Sequence, residues 1–427
     1  MKRKVLALAV GAVFVAPAAQ AQITFGNEQL GTLQIYGKLY PQFGWFSASG
    51  STTPNASVST LTGSGVTAAT ITTCGANCVA EDPPPRQLVD VGNSYIGFRG
   101  ERGLTNNFGG LKAIWQLEQA TNFDVGTGTF GSRDSFVGLS SGGFGTIRLG
   151  NMDTVYKSYG DTFSMFGIAS GNFVSASNVL SQSIGSNRAG RFHERRNSSA
   201  MYETPTFAGL TAGVMYGPAE DKSGGTTARN QNLWSYGVKY DSERFYVSLH
   251  QERHQDFFGL SNNIANAALR NLAGANPTPR AHSMDKATRL SGELRFANAR
   301  LVGDIAKLTY DESGQTATPA APKVGHYEHI NYALGVDWGL GPWRFASQWV
   351  KAGAGKCSLT SGSCSTDGLE AKLYTLGVRY RFDRQTFVYA IYAHLANGAS
   401  AAFNNGSPAL NIGTDSDNFA LGISYSF

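Results

Sequence analysis

The chain has 427 residues, of which 41% are hydrophobic and only 15% charged, with a formal charge of +5. Three of the positive charges, Lys2, Arg3 and Lys4, stand at the extreme N-terminus, so the remainder carries a bias near +2, too weak for a nucleic-acid-binding surface. No later apolar run reaches the roughly 20 residues of a spanning helix, which argues against a helical membrane protein. The 52 glycines, 25 phenylalanines and 18 tyrosines suit strands, tight turns and interfacial aromatic belts instead.

In chain order, Lys2–Lys4, the apolar stretch Val5–Ala16 and the small-x-small site Ala19-Gln20-Ala21 read as a secretory signal peptide over residues 1–21. The mature domain then covers residues 22–427. Its first run is Leu33–Phe43, with Leu33, Ile35, Leu39 and Phe43 on one face and Gln34, Tyr36, Lys38, Tyr40 and Gln42 on the other. A Ser/Thr/Gly-rich stretch to about Val89 follows, then runs at Ser94–Glu101, Leu111–Gln119, Arg133–Ser140 and Thr146–Gly150. After a second long segment, Asn151–Gly190, ten more runs begin at Arg195, Leu210, Trp234, Phe245, Thr288, Arg300, Tyr327, Trp343, Lys372 and Thr386. The last run ends on Phe427, with Phe419, Leu421, Ile423, Tyr425 and Phe427 on one face and Ala420, Gly422, Ser424 and Ser426 on the other.

A period of two gives each run one apolar and one polar or small face. An even number of strands of ~10 residues, joined alternately by short turns and long loops, predicts an all-β fold: a 16-stranded antiparallel transmembrane barrel with lipid outside and water within. The short turns face the periplasm and the long loops face outward. A β-sandwich would bury its apolar faces against a second sheet and would not need Tyr and Trp at strand ends.

Leu33-Gln-Ile-Tyr-Gly-Lys38, Tyr95-Ile-Gly-Phe-Arg-Gly-Glu101, Leu111-Lys-Ala-Ile-Trp-Gln-Leu-Glu118, Arg133-Asp-Ser-Phe-Val-Gly-Leu139, Gly143-Phe-Gly-Thr-Ile-Arg-Leu-Gly150, Tyr202-Glu-Thr-Pro205 and the final Gly422-Ile-Ser-Tyr-Ser-Phe427 stand in an order and spacing that resemble the general bacterial porins, the trimeric 16-stranded type of Gram-negative outer membranes. The resemblance spans the mature chain. It implies that the third external loop, Asn151–Gly190, folds into the lumen and opposes its acids to a basic ladder. The loop acids are then Asp153 and Asp161, with Asp161 in Tyr159-Gly-Asp-Thr-Phe163 the better match. Alternation directs Lys38, Arg99, Lys112, Arg133 and Arg148 inward, along with Glu101, Gln116 and Glu118. Arg133 matches a ladder position of the family, Arg99 a position usually Lys or Arg, and Tyr95 replaces a common ladder arginine. Arg195, Lys239, Arg295, Arg344, Arg379 and Arg381 add positive charge on the far wall. Rings of charge select the sign of permeant ions, and the excess of lumen cations leads us to expect passive diffusion of small hydrophilic solutes with modest anion preference.

The resemblance also implies a homotrimer, contact with outer-membrane lipid and lipopolysaccharide, and assembly through a C-terminal signal containing Tyr425 and Phe427. No cofactor is called for. Cys74 and Cys78 share one loop, Cys357 and Cys364 another. In an oxidising compartment two local disulfides are favoured, because each couple shares a loop that closes cheaply; three pairings are possible in principle, and a zinc site is the alternative. The seven histidines form no helical metal motif. A barrel hydrolase would need a nucleophile motif, and none is present. A sugar- or phosphate-selective channel and a loop adhesin are the other readings.

Overall fold

The computed structural model describes residues 23–427 apart from 28–30, 52–81, 92, 105–109, 125–130, 169, 184–189, 221–229, 263–279, 315–323, 361–363 and 407–409. The expected signal peptide, residues 1–21, and the Cys74/Cys78 couple lie outside the described residues.

Among the described residues, the fold is one closed antiparallel sheet of twenty strand segments that make sixteen staves. Segments β1 (Ile23–Asn27), β2 (Gly31–Leu39) and β3 (Gln42–Ser49) are followed by β4 (Arg86–Asp90) and β5 (Tyr95–Gly103). β2 and β3 form one stave interrupted at Tyr40-Pro41, and β4 and β5 form the next, since β2 pairs with β5 and β3 with β4. A proline cannot donate to a ladder, so a stave that contains one breaks there. Single staves then run as β6 (Lys112–Ala120), β7 (Ser135–Ser141), β8 (Gly145–Asp153), β9 (Arg195–Glu203), β10 (Leu210–Gly217), β11 (Asn232–Asp241) and β12 (Phe245–Gln255). The last are β13 (His282–Arg295), β14 (Ala299–Ser313), β15 (Val324–Leu340), β16 (Trp343–Ala352), β18 (Ala371–Arg381), β19 (Thr386–Asn397) and β20 (Asp415–Ser426), while the short β17 (Lys356–Leu359) extends the β15–β16 hairpin outward.

The barrel closes where β20 pairs with β2 and β3. Phe427 exchanges two backbone hydrogen bonds with Gly37, 2.9 and 3.0 Å, and its ring covers that glycine. Beyond this point β1 pairs with the next residues of β2, continuing the line of β20.

Alternation sorts the faces. On β20, Phe419, Leu421, Ile423 and Tyr425 are exposed outward, whereas Ala420 and Ser424 are buried. Leu149, Leu334, Leu376 and Val137 belong to the same outward band. These exposed apolar residues form one outer band; the alternate positions carry the lumen. No helix among the described residues is long and apolar enough to cross a membrane, and the chain crosses with strands.

The observed strands differ from the expected runs mainly at their ends. β13, β14 and β15 have 14, 15 and 17 residues, more than the 9–11 that span a bilayer. Their loop-side ends have polar residues on both faces, such as Ser283, Asp285 and Lys286, so the hydrophobic alternation that marks a strand in sequence fades there. Arg133 and Asp134 precede β7 rather than start it, and β8 runs on to Asp153.

Candidate functional site: the lumen and its inward loop

The described residues of 154–194, between β8 and β9, run along the inside of the barrel. Thr154 caps the helix Val155–Gly160 by accepting from the Lys157 amide. The segment then passes along the wall in chain order. The Tyr156 amide donates to Ser235 of β11 at 2.8 Å. The Tyr159 carbonyl accepts from Tyr246 and Ser248 of β12 at 2.6 and 3.0 Å, and the Gly160 carbonyl from Arg289 of β13. Phe163 lies on Gly335 of β15, and Met165 and Phe166 lie on Gly377 of β18. The Gly167 carbonyl accepts from Lys38 of β2 at 2.9 Å, and Asn172 donates to Gln42 of β3.

The return leg is fastened in the same way. Asn405 donates to the Phe173 carbonyl, Gln348 of β16 to Val174, Asn331 of β15 to Val179 and Leu180, and Tyr310 of β14 to Gly190. Phe192 stacks on His254 of β12 at 4.8 Å, and the Thr154 amide closes the circuit on the Glu194 carbonyl. The loop thus covers the arc from β11 round to β3, and Lys157 near its start also reaches Asp153 at the end of β8. Its tip is a tight turn: Met165 and Ile168 exchange two backbone bonds, and Phe166 and Gly167 both have positive φ, 53° and 88°. That is the dihedral pattern of a type I′ turn.

The wall left bare carries ion pairs. Glu118 accepts from Arg133 and, at 3.1 Å, from the Tyr36 hydroxyl. Arg133 lies 4.8 Å over the Tyr95 ring, and Arg99 lies 4.8 Å over Tyr36 and donates to Gln34. Arg195 bridges Asp134 at 2.6 Å and Asp153 at 2.7 Å, and Lys157 reaches Asp153 at 3.0 Å. Arg148 pairs with Glu203, which also accepts from the Tyr159 hydroxyl.

The residues expected at a constriction therefore occupy different places. Lys38 is buried against the loop tip. Arg99, Glu118 and Arg133 form one cluster on β5–β7. Asp153 ends β8 on the ladder's own side. Asp161 follows the loop helix and pairs with His193 of the return leg. Lys112 sits at the short-turn rim, half exposed and paired with Glu101 at 2.7 Å. Arg148 lies three residues from a short turn, held by Glu203. Sequence reading missed His193 and the wall donors Tyr246, Arg289, Asn331 and Gln348. The wall donors bond loop carbonyls, which leave no trace in residue type, and only their inward polar register hints at them; His193 bonds the Asp161 carboxylate across the two legs.

Burial holds the His193 imidazole below its ordinary pKa, against the opposing pull of Asp161. The ring is neutral near pH 7, and its Nε2–H donates to the Asp161 carboxylate. Cys357, in β17, and Cys364 form the expected disulfide, with Cα atoms 5.8 Å apart. No cluster of three metal-binding side chains occurs among the described residues.

A sequence model of the Gram-negative porins matches residues 7–400. The chain belongs to the Gram-negative porin family. This porin is 34% identical over 171 residues to the major outer membrane protein P.IB of Neisseria lactamica, covering 40% of this chain and 44% of that one. It is 39% identical over 162 residues to the Neisseria gonorrhoeae protein of the same description, covering 38% and 41%. The porin thus aligns with less than half the length of these relatives. In fold it is similar to the anion-selective porin from Comamonas acidovorans, with a TM-score of 0.61, 19% identity, and coverage of 92% of this chain and 99% of that one. It is also similar to OmpT of Vibrio cholerae, with a TM-score of 0.58, 15% identity and coverage of 94% and 99%. The porin is an outer-membrane protein of a family of channels rather than enzymes.

Proposed function

We propose that this porin forms a water-filled channel for passive diffusion of small hydrophilic solutes and ions, with a modest preference for anions. The observation that carries the reading is the placement of the inward loop. Sixteen staves enclose more than side chains can fill, and the loop is fastened along one arc, leaving the β5–β8 wall as the side of a water path. Lys38, Arg99, Glu118, Arg133, Arg148, Asp153 and Asp161 are the groups that a passing ion would sense, with Lys112 at the rim.

The anion preference is supported by how the charges are paired. Glu118, Asp153 and Glu203 each have a basic partner, whereas Asp161, on the neutral His193, keeps its charge. Arg99 instead donates to an amide oxygen, so its charge is not cancelled by a contact ion pair. Within a Debye length of about 8 Å such charges are poorly screened. We expect a reversal potential in a KCl gradient that reports chloride over potassium, reduced several-fold in permeability ratio by Arg99→Gln. Cation preference in the wild type would refute the selectivity, and vesicles left impermeable to small sugars would refute the channel. Saturable block by a sugar or by phosphate would favour a substrate-selective channel instead.

The same reading includes a homotrimer. The wall at the barrel seam supports it, where Phe43, Trp45 and Phe419 pack edge to face and tilted at 4.7 and 5.4 Å on the outer surface. It also includes lipid and lipopolysaccharide around the apolar band, residues 1–21 as a removed signal peptide, and recognition of Tyr425 and Phe427 by assembly machinery.

A further inference from the structure

The lumen face of the far wall carries an arrangement that packing alone disfavours. β16 and β18 pair with Arg344 directly opposite Arg379. Arg381 lies two residues further on the same inward face. Directly opposed side chains stand about 4.5–5.5 Å apart at Cβ, and like charges there repel. Carboxylates do not balance the group. Asp337 pairs with Arg344 and also, at 2.9 Å, with Arg300, so one acid serves two guanidiniums. Arg379 has no ion pair among the described residues. Its contacts are ring faces: Phe387 at 5.0 Å and Phe166, the loop-tip residue, at 5.7 Å. Its buried Nε has no hydrogen-bond partner.

The two phenyl faces approach the Arg379 guanidinium within cation–π range, and a guanidinium presents its five donors in its own plane. Arg344 and Arg381 remain reachable from water; the Arg344 side chain is 30% exposed and Arg381 is exposed. The group lies close to the turns at 341–342 and 382–385, in the vestibule on the short-turn side of the inward loop. Phe166 covers it from the loop side with a strained positive φ of 53°.

We propose that Arg344, Arg379 and Arg381 form a binding station for multivalent oxyanions at the short-turn mouth, roofed by Phe166. An oxyanion with two or more charges, placed between the opposed arginines, replaces their repulsion with bidentate, charge-assisted hydrogen bonds. Chloride, with one charge and no fork geometry, gains much less. The station deepens the channel reading and rests on it, because the ligand arrives through the water-filled lumen.

The test is a planar-bilayer recording with pyrophosphate added to one side at a time. We expect reversible block from the short-turn side at concentrations at least tenfold lower than from the loop side. Arg379→Gln and Arg381→Gln should each raise the half-blocking concentration about tenfold, while Arg379→Lys, which keeps the charge and loses the fork, should fall between. Arg381→Gln touches no loop residue and so guards against a simple shift of Phe166. Equal block from both sides, or block unchanged in both glutamine variants, overturns the station. The KCl reversal potential is read in the same recordings: cation preference with pyrophosphate block intact would remove the general selectivity and leave the station standing.

Discussion

Gly335 and Gly377 show how much of the lumen is decided by a missing atom. A Cβ at Gly377 would come within 2.7 Å of the Phe166 ring, and one at Gly335 within 2.7 Å of Phe163. These glycines are seats for two of the loop's phenyl rings, Phe166 and Phe163. Overpacking of this kind costs about 1–3 kcal/mol, and the loop tip is the part able to yield. Gly377→Val should therefore lift the tip and raise single-channel conductance in planar bilayers while the barrel still folds; conductance identical to wild type would mean that the ring is not seated there in the membrane. In the sequence these positions were indistinguishable from the many glycines that serve strands and turns. The inward register of Lys38, Arg99, Arg133 and Arg148 was legible because alternation alone sets it. That these cations meet Tyr36, Glu118 and Glu203 was not legible, because cross-strand neighbours depend on the register between staves, which a single chain does not reveal.

At the scale of elements, the third loop takes its conformation from its surroundings rather than from its own sequence. Its position after the fifth stave could be anticipated; its path could not, since wall side chains recognise its carbonyls. His193 joins the two legs through Asp161, and this makes the loop sensitive to acid. The folded pKa lies below the ordinary value of about 6.5. The group therefore favours the docked loop above that ordinary value, and the preference is lost as pH falls through it and towards the lower folded pKa, where the buried ring must take a proton. Open-channel noise should rise between pH 7 and pH 5, and His193→Gln should flatten that rise. Noise independent of pH in the wild type would exclude this imidazole as its source. The broken staves at Tyr40-Pro41 and between Asp90 and Tyr95 were also partly hidden: the inward and outward faces continue in phase across the first break, so the apolar pattern reads as one run.

The whole molecule depends on joining the first stave to the last. Alternation, turn lengths and the terminal aromatic strand were sufficient to anticipate sixteen staves, because the lipid boundary imposes one rule on all of them. The closure itself involves Gly37 and Phe427, near opposite ends of the chain, and non-local pairing of this kind forms slowly. Phe427→Ala removes the ring that covers Gly37 and should slow refolding into detergent several-fold, seen as delayed appearance of the heat-modifiable band on gels; refolding at the wild-type rate would show that the backbone bonds alone suffice.

The loop's fastening also bears on voltage. Residues 154–194 contain Lys157, Arg188 and Arg191 against Asp161 and Glu194, a net charge of one. Moving one elementary charge through 100 mV yields only about 2.3 kcal/mol. Tyr246, Ser248, Arg289, Lys38, Gln348, Asn331 and Tyr310 all hold loop carbonyls, each worth about 1 kcal/mol net, and more where the donor is charged. An electrical potential of biological size cannot swing such a segment across the bore as a unit, so any voltage-driven closure must originate in parts less firmly tied down.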